Sequence, residues 1–367
     1  MPFYKNPIFL RYRVLVDELN ERLIGQQFAK ERLAIHVAEH EFGLFQKVGA
    51  PRVLLLVGPT GSGKTELCRS LAEVLGAKMT SVNASELSHT SFHGQQIANL
   101  VATLVVPNEE RKSEKDEKED EEGIPNELRL LGKLLELQAA SATANSGLRK
   151  ARGVMVIDEI DKVTFLPEEE RKASQAQERH NFALQSMLLP LFEGGKMRTS
   201  GHGGGESNLE IDTSELLVIA SGAFEAQRFK DVVGSRDEGA VTFQHGHWGA
   251  IQHGDLIRFG FLEELVGRIR TIIPLERWSD AELQALLKKQ VDNAEWRILG
   301  YRVVPEDSVL EKLAEHASNL RLGARGANVI FETIKHHVYA QIQGIEIDDQ
   351  QRAIVLTQAY TDKHWTL

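Results

Sequence analysis

Two short stretches carry residue types that can work on phosphate. Gly58-Pro59-Thr60-Gly61-Ser62-Gly63-Lys64-Thr65 fits the pattern G-x-x-x-x-G-K-[ST]. Glycines at 58, 61 and 63 let the backbone wrap closely and turn its N–H groups toward phosphate oxygens. A helix opening at Glu66 adds positive potential at the same place. Lys64 is expected to reach the β- and γ-phosphates and Thr65 to hold Mg²⁺, so the run from Gly58 to Glu66 is read as binding ATP. Downstream, Asp158-Glu159 ends an apolar run. Asp158 is expected to organise the Mg²⁺ shell, and Glu159 to polarise the water that attacks the γ-phosphate, with Lys64 and Glu159 as catalytic groups.

Such groups need rigid strand ends beneath them. Val53-Leu54-Leu55-Leu56-Val57 is uniformly apolar, the mark of a strand buried on both faces. Lys78–Asn83, Gly153–Ile157, Leu216–Ser221 and Thr271–Ile273 read as four more strands. Before the first strand, Leu15, Val16, Leu19 and Leu23 fall at helical spacing, Ile24-Gly25-Gln26 breaks the pattern, and Phe28 to Phe45 starts a second helix. A helix is expected over Asn181–Phe192 and a Gly-rich loop over Gly194–Asn208. After Pro274 helices dominate. Ser279 with Glu282 matches a capping box opening a helix to about Leu299. Others follow Pro305 and Gly323, and Ala353–Leu356 could form a short late strand. These patterns predict a large domain over 1–275 and a small one over 276–367.

Composition narrows the function classes. The 367 residues are 42% hydrophobic and 26% charged, as in a globular chain with a substantial core. The net charge of −10 argues against a nucleic-acid or anionic-membrane partner. The single cysteine, Cys68, excludes an internal disulfide and a Cys-based zinc module. The N-terminus lacks a long apolar stretch and no run approaches membrane-spanning length, which predicts a cytoplasmic protein. Segment 109–122 holds nine acidic and four basic residues, a net charge of −5, and is expected to be a solvated loop in an insertion at about 107–147. His245, His247 and His253 lack the ligand spacing of a metal site.

Four segments resemble the ClpX and HslU branch of the AAA+ ATPases: Gly153–Lys162 (GVMVIDEIDK), Ile211–Phe224 (IDTSELLVIASGAF), Asp255–Arg268 (DLIRFGFLEELVGR) and Gly323–Gly326 (GARG). Leu23–Lys30 (LIGQQFAK) resembles the start of that family's ATPase domain. The motifs fall in the family's order from about residue 14 to near the C-terminus. The resemblance implies an α/β fold: a three-layer αβα large domain with a parallel sheet, plus a smaller, mainly helical C-terminal domain. It implies that Ser221 is the sensor-1 residue, Arg268 the arginine finger given to a neighbouring subunit, and Arg325 the sensor-2 arginine. Ile24 and its neighbours would line the adenine pocket. Ser91-Phe92-His93-Gly94 stands where the family has its pore loop, so Phe92, with His93, would grip substrate polypeptide. Ser91 and His93 depart from the family's glycine and aliphatic residue.

The resemblance further implies a homo-oligomeric ring, a hexamer, that uses ATP and Mg²⁺ to unfold or remodel protein substrates. A stand-alone remodeller is favoured. The alternatives are the ATPase subunit of a peptidase complex, with a peptidase or adaptor partner, and a nucleic-acid-associated AAA+ motor. Glu225–Gly254 contains no Ile-Gly-Phe-type peptidase-docking tripeptide, whereas the last residues given, Trp365-Thr366-Leu367, resemble the HslU docking tail, which ends in apolar residues. Salt-dependent DNA binding would favour the motor.

Overall fold

The structure is a computed structural model. It describes residues 6–46, 52–87, 93–105, 149–165, 175–199, 210–225, 227–234, 251–293, 296–298, 300–320, 322–340, 346–348 and 352–359. Phe92, His245, His247, the insertion at 107–147 and the C-terminal tripeptide lie outside these residues. The described residues fall into two compact units. One draws on Met1–Arg22, Gln27–Gly58 and Lys64–Pro274, the other on Leu23–Gln26, Pro59–Gly63 and Leu275–Leu367.

The first unit runs α1 (Pro7–Arg22), α2 (Gln27–Gln46), β1 (Val53–Val57), α3 (Lys64–Val74), β2 (Met79–Asn83), α4 (His93–Ala102), β3 (Arg149–Asp158), α5 (Gln175–Glu193), β4 (Lys196–Arg198), β5 (Glu210–Gly222), α6 (Gln227–Gly234), α7 (His253–Phe259), α8 (Glu263–Val266) and β6 (Ile269–Pro274). Its sheet has the order β2-β3-β5-β1-β6, with β4 added on β5. All pairs along that path are parallel, as strands joined through helices must be. All five residues of β1 are buried, which is what its unbroken apolar run predicts. Register then decides chemistry: Val57 pairs with Gly222, Ile157 with Ala220, and Asn83 with Asp158. The carboxyl ends of β1, β2, β3 and β5 therefore share one edge, where open α/β sheets bind ligands.

Two expectations fail in this unit. The predicted Gly-rich loop contains β4, antiparallel to β5. Lys196-Met197-Arg198 alternates polar, apolar, polar, and Met197 is buried in the core, a period of two too short to stand out in sequence. Helix α5 starts at Gln175, earlier than Asn181.

The second unit contains α9 (Asp280–Asp292), β7 (Arg297–Ile298), β8 (Tyr301–Pro305), α10 (Asp307–Asn319), α11 (Ala324–Ala340), β9 (Glu346–Asp348) and β10 (Ala353–Leu356). The capping box at Ser279 and Glu282 is present, and α9 ends at Asp292 rather than near Leu299. Helices contribute most of the buried residues: Leu283, Leu287, Leu310, Leu313, Ile330 and Ile334 pack together. The expected strand at Ala353–Leu356 exists, but within a four-stranded sheet of order β7-β8-β10-β9. The β7–β8 hairpin turns at Gly300, φ 86°, and its first strand is two residues long, below the reach of periodicity. Among the described residues no helix is long and apolar enough to cross a membrane.

Candidate functional site

Asp158 is the hub of the shared strand edge. Its Oδ1 accepts hydrogen bonds from the Ser221 hydroxyl (2.7 Å) and from the Glu159 amide (2.9 Å). Its Oδ2 lies 3.5 Å from the Thr65 hydroxyl. Sequence separations of 63 and 93 residues collapse here because β3 lies beside β5, which lies beside β1. Ser221 is buried, so its hydroxyl is fixed by the strand rather than by solvent. The Lys64 ammonium donates to the Gly58 carbonyl at 2.7 Å, across the base of the loop. Cys68, one turn into α3, is buried. That burial pushes its thiol up to about 12, which makes it a core residue and not a nucleophile.

Glu159 is exposed and holds a left-handed backbone, φ 55° and ψ 33°, uncommon for a residue with a β-carbon. This twist turns the chain out of β3 into the 3₁₀ turn Ile160–Val163. The Ser85 hydroxyl stands 3.2 Å from Glu159 Oε2 and 2.8 Å from Asn83 Oδ1. It has one proton and so serves one acceptor fully at a time. In the sequence, the local signal for Ser85 and Asn83 is an Asn-x-Ser at a strand end.

The end of β5 is held by Asp161. Its Oδ2 accepts the Phe224 amide at 3.1 Å, while burial raises its pKa above the usual carboxylate range, against that hydrogen bond and Lys162. Phe224 takes φ 52° and is fully buried against Phe229, Phe259 and Phe261. A β-carbon on Gly222 would come within 2.7 Å of both Asp161 Oδ1 and the Phe224 ring. The Gly-Ala-Phe turn thus has a packing reason: it locks the strand end that presents Ser221. Arg268 follows Gly267, the C-cap of α8. Its guanidinium pairs with Glu193 at the end of α5 and donates to the Glu264 carbonyl.

Residues 59–63 of the glycine-rich loop pack in the second unit. Gly61 and Gly63 have φ of 78° and 96°, open to glycine at little cost. The Gly61 carbonyl accepts from Trp278 Nε1 (2.9 Å) and from the Ala324 amide (3.0 Å). Gln26 Nε2 reaches the carbonyls of Ser62 (3.2 Å) and Glu276 (2.8 Å). Pro59, Thr60, Ser62, Arg277, Trp278 and Ser318 border a small cleft in this unit. Arg325 is exposed in the first turn of α11, and Ile24 is half-buried beside Gly25. Glu66, in the first turn of α3, pairs with Arg69. His93 opens α4, and His253 Nε2 meets the Ile269 carbonyl at 2.7 Å. Among the described residues no group of three His, Cys, Asp or Glu could hold a metal by itself.

The structure therefore brings together Thr65, Asp158, Glu159 and Ser221, with Lys64 across the loop base, and adds Asn83, Ser85 and Asp161. Comparison with known proteins agrees in kind. The family model described as AAA domain (Cdc48 subfamily) matches residues 51–272. The chain is 27% identical over 349 residues to a protein of Bacteroides thetaiotaomicron named ATP-dependent Clp protease ATP-binding subunit ClpX, covering 88% of this chain and 75% of that one. It is 27% identical over 356 residues to ClpX 3 of Methylococcus capsulatus, covering 86% and 73%.

Proposed function

This chain belongs to the AAA domain family (Cdc48 subfamily) and is an AAA+ ATPase of the Clp unfoldase type; from that premise we propose a ring-forming motor that threads or remodels protein substrates. The observation that supports it is the cluster at one sheet edge: Asp158 between Thr65 and Ser221, with Glu159 next to it. Thr65 Oγ1 and Asp158 Oδ2, 3.5 Å apart, are both oxygen donors, which suits Mg²⁺. Thr65 and Asp158 would hold that ion, which neutralises charge building on the phosphates.

The chain's own groups have separate tasks. N–H groups of the loop from Gly58 to Gly63, with Lys64, bind and orient the phosphates, and Glu66 closes that segment. Ser221 keeps Asp158 in one rotamer. Glu159 takes up the proton of the attacking water. Arg268 supplies charge to the nucleotide of a neighbouring subunit, which ties turnover to assembly, and Arg325 and Ile24 contact the nucleotide of their own subunit. Phe92, with His93, grips the polypeptide in a central pore. The assembly is a hexamer in the cytoplasm. The names of the two relatives make a peptidase-complex ATPase subunit the second reading, while the net charge of −10 disfavours a nucleic-acid motor.

The test is a pair of variants. Glu159→Gln should bind ATP, assemble into a ring by sedimentation and retain substrate protein, with turnover lost. Lys64→Ala should fail to bind nucleotide. Wild-type phosphate release from Glu159→Gln, or a species that stays monomeric with ATP, would refute the reading.

A further inference from the structure

We infer that Trp278 is a positioning residue for nucleotide, acting through its indole N–H on the Gly61 carbonyl of the glycine-rich loop; this rests on reading Gly58–Thr65 as the phosphate cradle. A trans peptide plane carries its C=O and N–H on opposite sides, so whatever fixes a carbonyl also aims the following amide. The Gly61 carbonyl has two acceptor sites, and both are taken, one by Trp278 Nε1 at 2.9 Å and one by the Ala324 amide at 3.0 Å. The Ser62 amide on the other side of that plane turns into the loop, 3.2 Å from the Pro59 carbonyl. The next carbonyl, Ser62, accepts from Gln26 Nε2 at 3.2 Å. Gln26 is itself tied to Glu276, whose amide donates to Gln26 Oε1 at 3.1 Å. Two successive carbonyls are thus each held by a side-chain donor, which fixes the peptide planes that carry the Ser62 and Gly63 amides.

Packing supports the same brace. A β-carbon on Gly61 would sit 2.0 Å from the Leu322 carbonyl, and one on Gly323 would sit 2.4 Å from the Gly61 carbonyl, so both glycines serve this approach. The Trp278 ring closes beside them, 3.2 Å from a β-carbon on Gly323 and 3.5 Å from one on Gly63. A loop held this way spends less ordering entropy when phosphate arrives. Many apolar side chains could fill the ring's place. Only a donor completes the carbonyl's second bond, and tryptophan, at 217 residues' distance in sequence, supplies it.

The experiment is titration of ADP into the full chain by calorimetry, alongside steady-state ATPase kinetics. Trp278→Phe keeps an aromatic ring and removes the donor. Its ADP Kd should rise about three- to tenfold, the factor carried by one neutral hydrogen bond, and the loss should fall on KM more than on kcat. Should Trp278→Phe fold poorly, the benzothienylalanine isostere at position 278, with sulfur in place of N–H, decides alone and should show the same loss. Wild-type ADP affinity in the isostere would overturn the inference, because shape and not the N–H would then be the active feature. Lys64→Ala separates the two readings. If it abolishes ADP binding while the position-278 variants bind normally, only the Trp278 inference falls. If Lys64→Ala binds ADP as wild type does, the cradle reading falls and takes the inference with it.

Discussion

His36 should make the first unit lose stability as pH falls. It is 2% exposed on α2, its Nδ1 3.1 Å from the Thr271 hydroxyl, and its Nε2 is buried with no hydrogen-bond partner among the described residues. Burial first, and then the nearby His40 and Arg270 acting in the same direction, together lower its pKa from 6.5 to about 4. The folded state therefore resists a proton that the unfolded chain accepts from about pH 6.5 downward. Stability from this group is intact above that pH and is lost as pH falls toward 4. Between pH 7 and pH 5 the loss is about 2 kcal/mol, and it nears about 3 kcal/mol by pH 4. At this unit's size, about 2 kcal/mol lowers Tm by roughly 4–8 °C. His36→Gln keeps a polar side chain and removes the titration. Thermal melts of both proteins at pH 7 and pH 5 give the comparison, and the variant should lose less by that amount. An equal loss in the two would show that His36 is not the group responsible.

Two further substitutions probe the strand-end cluster. Ser85→Ala takes away the hydroxyl beside Glu159 and should lower kcat about three- to tenfold with little change in ADP affinity, measured by phosphate release and calorimetry; an unchanged kcat would remove Ser85 from the site. Gly222→Ala places a β-carbon 2.7 Å from Asp161 Oδ1 and from the Phe224 ring, so it should cost about 1–3 kcal/mol and reduce turnover by displacing Ser221; a wild-type Tm would show that the turn relaxes freely.

Local patterns determined a good part of this molecule. The buried central strand Val53–Val57, the glycine-rich loop with Lys64 and Thr65, the Asp158-Glu159 pair at a strand end, and the capping box at Ser279 each lie within a window of a few residues. Backbone sterics and burial act at that range, so residue type and spacing suffice to read them. The tertiary structure decided the rest. Nothing near Ser221 in sequence says that its hydroxyl bonds Asp158, because that contact follows from the order β3-β5-β1 and a register pairing Ile157 with Ala220. Strand order likewise puts Ser85 beside Glu159. The strands β4 and β7 are too short to show a period, and they exist because a longer neighbour offers them unpaired backbone. Trp278 reads in sequence as one more apolar residue before a helix cap. Its N–H gains a role only where the folded chain sets the Gly61 carbonyl 2.9 Å away, a relation no one-dimensional pattern encodes.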